Sequence, residues 1–388
     1  MILRFVDESG QIKERLVALE VVDDSSGRGM FNLFCNICTK YGLNWKSDLI
    51  AQSYDGAASM QGQYSGVRRL VQQHNPRAIY VWCFSHVLNL VVVDTCDSCR
   101  EVRNFFGTVQ SLKEFMRARK RTALFLEHQK KFYPDKRPLR MKTFSTTRWT
   151  SHHRSLFVIF EKFKAIVATL EDLSESIDRM CSSTASNLLR NVTSFSFVTV
   201  LFLMNKIFDI TTPLSTYLQT PSNDYIQALT MVDIAEKRLL KLRTQESVVT
   251  ILQESKEFSV KNELHEVEFP EIRQRKRKRM DDENTSDEIT NSAIDYFRTN
   301  VYFLCVDQIM ASLTIRFKDA REILKDLAFL SYERLLKVSN GDIVPNDTFD
   351  SLKTWIPEID KDSIAIEYRN FAMSFEKLQS GICPKKLT

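Results

Sequence analysis

The stretch Leu49–Cys96, LIAQSYDGAASMQGQYSGVRRLVQQHNPRAIYVWCFSHVLNLVVVDTC, constrains the fold more than any other part of the chain. Leu49, Ile50 and Ala51 lead into Tyr54–Asp55 as a short apolar run, the length of a buried strand. Gly56, Ala57, Ala58 and Ser59 then allow a tight turn with close backbone approach. Val67, Leu70 and Val71 recur at helical spacing, and Asn75–Pro76 ends that helix. Ile79–Cys83 is β-branched and aromatic, a second strand. Leu88–Val93 is apolar apart from Asn89 and reads as buried. Strand–helix–strand of this length implies parallel neighbours with a right-handed crossover. In such sheets the carboxyl ends of the strands carry the chemistry. Asp55 and the turn Cys83-Phe84-Ser85-His86 both fall there.

Around this stretch the rest of the chain divides by pattern. Ile2–Val6 and Ile12–Val22 read as strands joined by the turn Asp7-Glu8-Ser9-Gly10, a hairpin. Asp23–Gly29 is a loop. Phe31, Phe34, Ile37, Cys38 and Tyr41 share one face of a helix that stops at Gly42. Helices continue through roughly 98–129, and 130–142 is a basic, proline-containing loop leading to Arg148–Trp149. After about His152 the strand-like alternation disappears. Phe157, Phe160, Phe163, Ile166, Val167 and Leu170 repeat at helical spacing, as do Leu201–Phe208, Ile226–Leu240 and Tyr302–Phe317. Residues 253–288 are poor in apolar side chains and carry two opposed charge blocks, which reads as a loop, disordered in part. Leu352–Phe375 is helix-prone.

Composition closes off several classes. At 388 residues the chain can bury a large core, and 43% hydrophobic with 27% charged residues is the balance of a globular protein. With 54 basic against 49 acidic residues the net charge is +5, too mild to argue for nucleic acid without local patches. No uninterrupted apolar run reaches the roughly 18 residues of a membrane helix. The first ten residues lack the pattern of a signal peptide. Eight cysteines in a chain this long do not make a disulfide framework, and reduced thiols are expected. No Gly-rich nucleotide loop, Ser-His-Asp set or HExxH motif occurs.

The segments SYDGAASMQGQYSGV and AIYVWCFSHVLNLVVVD resemble transposase-derived proteins of the hAT superfamily, most closely the zinc finger MYM-type protein 1-like, DUF4371-type group. TTRWTSHHRSL, with Arg148 and Trp149, resembles the family's Arg-Trp motif. VYFLCVDQIMASLTIRFKD, Val301–Asp319, resembles its helix late in the insertion. The resemblance implies an α/β chain. Residues 1–150 would form an incomplete ribonuclease H-like domain, a mixed sheet with flanking helices. Residues 151–388 would form a large all-α insertion region with a disordered loop near 253–288.

The resemblance also implies roles. Asp55 would be one of three carboxylates holding two Mg²⁺ or Mn²⁺ ions for phosphoryl transfer. The family's first aspartate lies on a strand before the one represented by ILRFVD. Its glutamate lies in a Ser-Glu-Arg-x-Phe-Ser segment. Neither is among these residues, and Asp7 and Glu8 sit in the hairpin turn at the wrong end of their strand. The expectation is therefore a chain that holds no metal cofactor and does not cleave DNA by itself, with Asp55 a relic. The alternative is a fragment of an active transposase whose remaining ligands lie elsewhere. A third reading is a gene relic that folds poorly because a lost central strand exposes a sheet edge.

Cys83 and His86 would lie near DNA beside the active centre, and Trp149 would stack on unpaired bases. Plainer readings stand beside each role. Asp55 can cap backbone N–H groups, His86 can be a satisfied buried histidine, and Trp149 can anchor the insertion. Cys83–His86 with Cys35–Cys38 and Cys96–Cys99 can be drawn as a zinc cluster, but the surrounding periodicity is that of a core. The run Arg273, Arg275, Lys276, Arg277, Lys278 and Arg279 suits nuclear import or phosphate contact, or else is a solvated charge run beside its acidic neighbours. The chain is expected in the nucleus with DNA or protein partners, without a membrane, and in an undetermined oligomeric state.

Overall fold

The computed structural model describes residues 1–62, 64–141, 149–220, 224–270, 292–345, 347–356 and 358–380. It is mostly helical (69%) with only small sheets. The order is β1 (Ile2–Val6), β2 (Ile12–Leu16), α1 (Gly27–Lys40), α2 (Trp45–Asp48), β3 (Ala51–Gln52), α3 (Ala58–Gln61), α4 (Val67–His74) and β4 (Ile79–Tyr80). Helices follow: α5 (Phe84–Cys96), α6 (Arg100–Met116), α7 (Arg119–Phe132), α8 (Trp149–Glu161), α9 (Phe163–Ser174), α10 (Arg179–Val192) and α11 (Phe195–Leu218). The last are α12 (Tyr225–Leu242), α13 (Gln245–Lys261), α14 (Ala293–Phe297), a π-helical segment Arg298–Phe303, α15 (Leu304–Ala328), α16 (Tyr332–Ser339), α17 (Asp350–Trp355) and α18 (Lys361–Ser380).

These elements sort into two compact units. One holds Met1–Val87, Tyr217–Met231 and Ile315–Thr388; the other holds Leu88–Thr216 and Val232–Thr314.

In the first unit, β1 and β2 form the expected antiparallel hairpin, pairing Ile2 with Leu16 through Val6 with Ile12. Gly10 supplies the positive φ (78°) that the turn demands. The Asp7 carboxylate accepts hydrogen bonds from the Ser9 and Gln11 amides at 3.0 and 2.9 Å. The second strand ends at Leu16 rather than Val22. Among the described residues no strand pairs with 19–22, and Leu19 and Val21 stand 88% exposed.

α1 starts at Ser26, whose hydroxyl accepts from the Gly29 amide, and stops at Gly42, where φ is 66°. It buries Phe31 and Cys38 against Val67, Leu70 and Val71 of α4, with Trp45 and Ala78 completing that core. A second core gathers Phe329, Leu335, Val338, Phe349, Tyr368 and Ala372. There the Tyr368 hydroxyl donates to the Phe329 carbonyl at 2.7 Å.

Among the described residues the second unit's regular structure is all helical. α11 runs apolar all round, as a central helix must; Val198, Leu201, Leu203, Met204 and Ile207 are fully buried. It is long and apolar enough to cross a membrane by length and composition, yet 72% of its most apolar window is buried within the protein. Residues 253–261, read from sequence as the start of a loop, belong instead to α13. Thr244 caps that helix, and Val248, Ile251, Ser255 and Ser259 face inward. Phe258 holds its far end, with ring centroids 5.3 Å from Phe160, 5.0 Å from Phe163 and 5.5 Å from Phe202. One aromatic anchor outweighs the polar composition around it. Most of the remaining segment, 271–288, lies outside the described residues.

Two outcomes follow from these contacts. Asn75 is buried; its amide donates to the Trp45 and Leu49 carbonyls at 2.9 and 2.8 Å, and its oxygen accepts from the Arg77 amide. Asn75→Ala leaves buried backbone groups short of partners and should cost about 2–3 kcal/mol. Urea unfolding followed by tryptophan fluorescence measures it, and a loss below about 0.5 kcal/mol would contradict the assignment. The Ser9 hydroxyl, the Gln11 and Ser9 amides and Lys13 hold the Asp7 carboxyl down at about 2. A depressed carboxyl stabilises the fold above its unfolded value and loses that contribution as pH falls through about 2. The hairpin turn should therefore survive at pH 4 and loosen towards pH 2, and Asp7→Asn should flatten that dependence in amide exchange of Ser9 and Gln11.

Candidate functional site

Three backbone hydrogen bonds lay β4 and its continuation along β3. The amides of Ile79, Val81 and Cys83 donate to the carbonyls of Ile50, Gln52 and Tyr54 at 2.9, 3.0 and 3.1 Å. The pairing is parallel, as the strand–helix–strand pattern predicts. Regular strand geometry is confined to two residues on each side, but the ladder spans the lengths read from sequence. Both strands thus end together, and Asp55 and Cys83 leave the sheet at the same edge.

Gly56 follows Asp55 and lies close beneath α5. A side-chain carbon added there would sit 3.0 Å from Trp82 Cζ2 and 3.1 Å from His86 Nε2. Only a residue without Cβ lets this turn approach so near. The Asp55–Gly56 turn and the Cys83–His86 segment therefore meet. Phe84–His86, read as a turn, is the first turn of α5, so His86 sits on a helix rather than on a loop.

Asp55 is exposed and its carboxylate accepts the Ala57 amide at 3.2 Å. That is the bond of a turn-forming aspartate. Aromatic side chains surround the strand ends. Burial, with Tyr80 and Cys38 nearby, pushes the Tyr54 phenol up to about 12. Burial also raises Tyr80, against the Gln61 amide that donates to its hydroxyl at 2.6 Å and the Arg68 guanidinium 4.5 Å over its ring. Both phenols stay protonated at neutral pH and offer no general base.

Tyr225 reaches the same region from a distant part of the chain. Its ring stands edge-on to Phe84 at 5.1 Å, with the Arg4 guanidinium 6.0 Å from the ring centroid. Burial raises the Tyr225 phenol, opposed by its hydrogen bond with Ser53. Ser85 donates to the Leu218 carbonyl at 2.9 Å. Sequence pattern held no sign of Tyr225 or Leu218, because neither belongs to a local motif.

A two-metal site needs several carboxylates converging on one point. Among the described residues no three His, Cys, Asp or Glu come together in a way that could hold a metal ion. Asp55 and its neighbours do not fit the paired divalent ions, and no chemical step is derived through them. The zinc arrangement fits no better. Cys35 and Cys38 lie on α1, where burial raises both thiols, Cys38 to about 11. Burial also raises Cys96 and Cys99, and takes Cys305 to about 12. A structural zinc site needs four converging ligands, and among the described residues these cysteines and His86 do not form such a group.

Arg148 lies outside the described residues. Trp149 opens α8, and its side chain is likewise outside them. The basic run Arg273, Arg275, Lys276, Arg277, Lys278 and Arg279 is outside the described residues too.

Gly56→Ala should push the Trp82 and His86 rings aside, at a cost of about 1–2 kcal/mol. Imidazole resonances of His86 followed by NMR should move while those of His265 stay put; an unmoved His86 would refute the contact. Cys38 and Cys305 should resist alkylation in the native protein at pH 7 and react only on unfolding, as mass spectrometry of labelled peptides can establish. Residues 1–66, which take in the hairpin, α1 to α3 and Asp55, match the family model described as DUF4371: ZMYM1/FAM200, RNase-like domain. No solved structure matches the chain. The N-terminal match supports a place in the ZMYM1/FAM200-type family.

Proposed function

We propose that the protein is a transposase-derived, hAT-like factor of the nucleus that binds nucleic acid or protein and does not itself cleave DNA. Among the described residues the antiparallel hairpin β1–β2 and the parallel pair β3–β4 are two separate two-stranded sheets; in this reading both derive from a ribonuclease H-like mixed sheet, and the later helices are the family's insertion. Both kinds of pairing that such a sheet combines are present in the first unit. The family-model match over residues 1–66 supports the descent.

The observation that carries the binding role is the engagement of the Asp55 carboxylate with the backbone of its own turn. One carboxylate oxygen takes the Ala57 amide, the part of a turn-forming aspartate, and this supports a structural role for Asp55 in the present chain. Cys83 and His86 then become contacts beside a strand end rather than parts of a reaction centre. Arg148 and Trp149 would add a DNA-proximal stacking group, and the run from Arg273 to Arg279 would carry nuclear import.

A second reading is favoured by one fact, the position of Asp55 at the carboxyl end of a parallel pair, where chemistry is placed in such sheets. There the chain is a fragment of an active hAT transposase, and the full protein uses Mg²⁺ or Mn²⁺ with carboxylates from outside these residues.

The two readings part in one assay. The protein expressed from the complete transcript, rather than these 388 residues alone, is incubated with labelled duplex DNA and Mg²⁺ or Mn²⁺, as wild type and as Asp55→Ala. The binding role predicts no cleavage above buffer by either protein and unchanged DNA retention. Cleavage that Asp55→Ala abolishes would establish the transposase reading instead. For localisation, replacing Arg275, Lys276, Arg277 and Lys278 with alanine in a fluorescent fusion should shift the protein from nucleus to cytoplasm; an unchanged distribution would remove the import role from this run.

A further inference from the structure

The second unit carries a polar groove far along the chain from Asp55. It is a cavity of about 460 Å³ between α6, α10 and the start of α11. Its size lies within the range of small-ligand sites, about 300–1,000 Å³. Its lining is unlike that of a typical apolar pocket. From α6 come Arg103, Asn104, Thr108 and Ser111, spaced so that they share one face; from α10 comes Asn191, and from α11 Ser196. Within the described structure these six side chains make no hydrogen bond. A second recess of about 480 Å³, which shares Asn187 in its lining, extends past Ser183 to Arg190. The Arg190 guanidinium is held at its mouth by the Asn187 side chain at 3.0 Å.

Charge and shape narrow the ligand. Glu101, the acidic residue in the lining, is already engaged by Arg100 at 3.1 Å and by the Tyr296 hydroxyl at 3.0 Å. Arg103 and Arg190 therefore leave the groove positive. The aromatic rings at its floor, Phe105 and Phe197, are 3% and 4% exposed and turned into the core, so no base can stack on them. At Gly107 a side-chain carbon would meet nothing within 4 Å, so the groove is open at its centre. Guanidinium, amide and hydroxyl groups without an exposed aromatic ring are the set that contacts phosphate and sugar rather than bases.

We infer that the groove between α6 and α10 binds one sugar–phosphate strand of a nucleic acid, without regard to sequence. Arg103 and Arg190 neutralise successive phosphates, and Asn104, Thr108, Ser111 and Asn191 bond phosphate and sugar oxygens. The inference rests on the nucleic-acid branch of the binding role above and gives it a place on the molecule distinct from Asp55, Cys83 and His86.

The test uses the full chain and a fluorescein-labelled 20-nucleotide single-stranded DNA, with anisotropy read across a salt series. The double variant Arg103→Gln/Arg190→Gln should weaken binding about tenfold and lower the salt slope by about 1.4, two phosphate contacts on a single strand. Gly107→Leu should block the groove while removing a glycine from a helix, so it should lose DNA without losing melting temperature. Equal affinity and slope in wild type and both variants would overturn the groove while leaving nucleic-acid binding intact elsewhere. Wild type that fails to bind any DNA would defeat the broader reading and this one together. Retention of a phosphoserine peptide instead, lost in the same variants, would show a protein-binding groove and refute the nucleic-acid assignment.

Discussion

The first unit depends on a ladder of three hydrogen bonds, from the amides of Ile79, Val81 and Cys83 to the carbonyls of Ile50, Gln52 and Tyr54. A parallel pair cannot be closed by a tight turn; it needs a crossover, and α4 supplies it. The crossover is held in place by Asn75, which ends α4 and ties its loop back to the carbonyls of Trp45 and Leu49. Val67, Leu70 and Val71 then lock the helix over α1. Because the two strands end in register, their last residues are neighbours whatever else the chain does. The meeting of the Asp55–Gly56 turn with His86 is a consequence of that register and of the missing Cβ at Gly56.

Side chains at that edge are mostly aromatic, and burial keeps the two tyrosines, Tyr54 and Tyr80, protonated. Tyr80 and Phe84 are buried there, so their rings fix the shape of the edge, and Asp55 is an exposed polar group at its rim. The groove of the second unit has the complementary chemistry, cationic and hydroxylic without exposed rings. The binding role proposed for the chain draws on both.

Legibility from sequence tracked the range of the interaction. The hairpin turn, the stop at Gly42, the helix of Val67, Leu70 and Val71, and the shared edge of Asp55 and Cys83 all follow from patterns within a few residues to a few tens of residues. The length of β2 did not, since a strand lasts only as long as its partner pairs with it. Nor did α13, where the single anchor Phe258 finds Phe160, Phe163 and Phe202, all far outside any local window, and overrides a polar local composition. The start of α5 at Phe84 shows the same limit: Phe84 packs on Tyr225 and Phe317, rings that no local window contains.

The sequence by itself determined much of the local geometry: the hairpin turn, the helix of Val67, Leu70 and Val71, where glycine permits a turn, and that Asp55 and Cys83 leave neighbouring strands at one edge, because backbone periodicity and φ preferences act over short range. Only the tertiary structure decided that Met1–Val87 shares a compact unit with Ile315–Thr388, that Tyr225 stands beside Phe84, and that two polar helix faces of α6 and α10 enclose a groove. Those outcomes rest on burial, and burial is a property of which distant surfaces meet, not of any one stretch of chain.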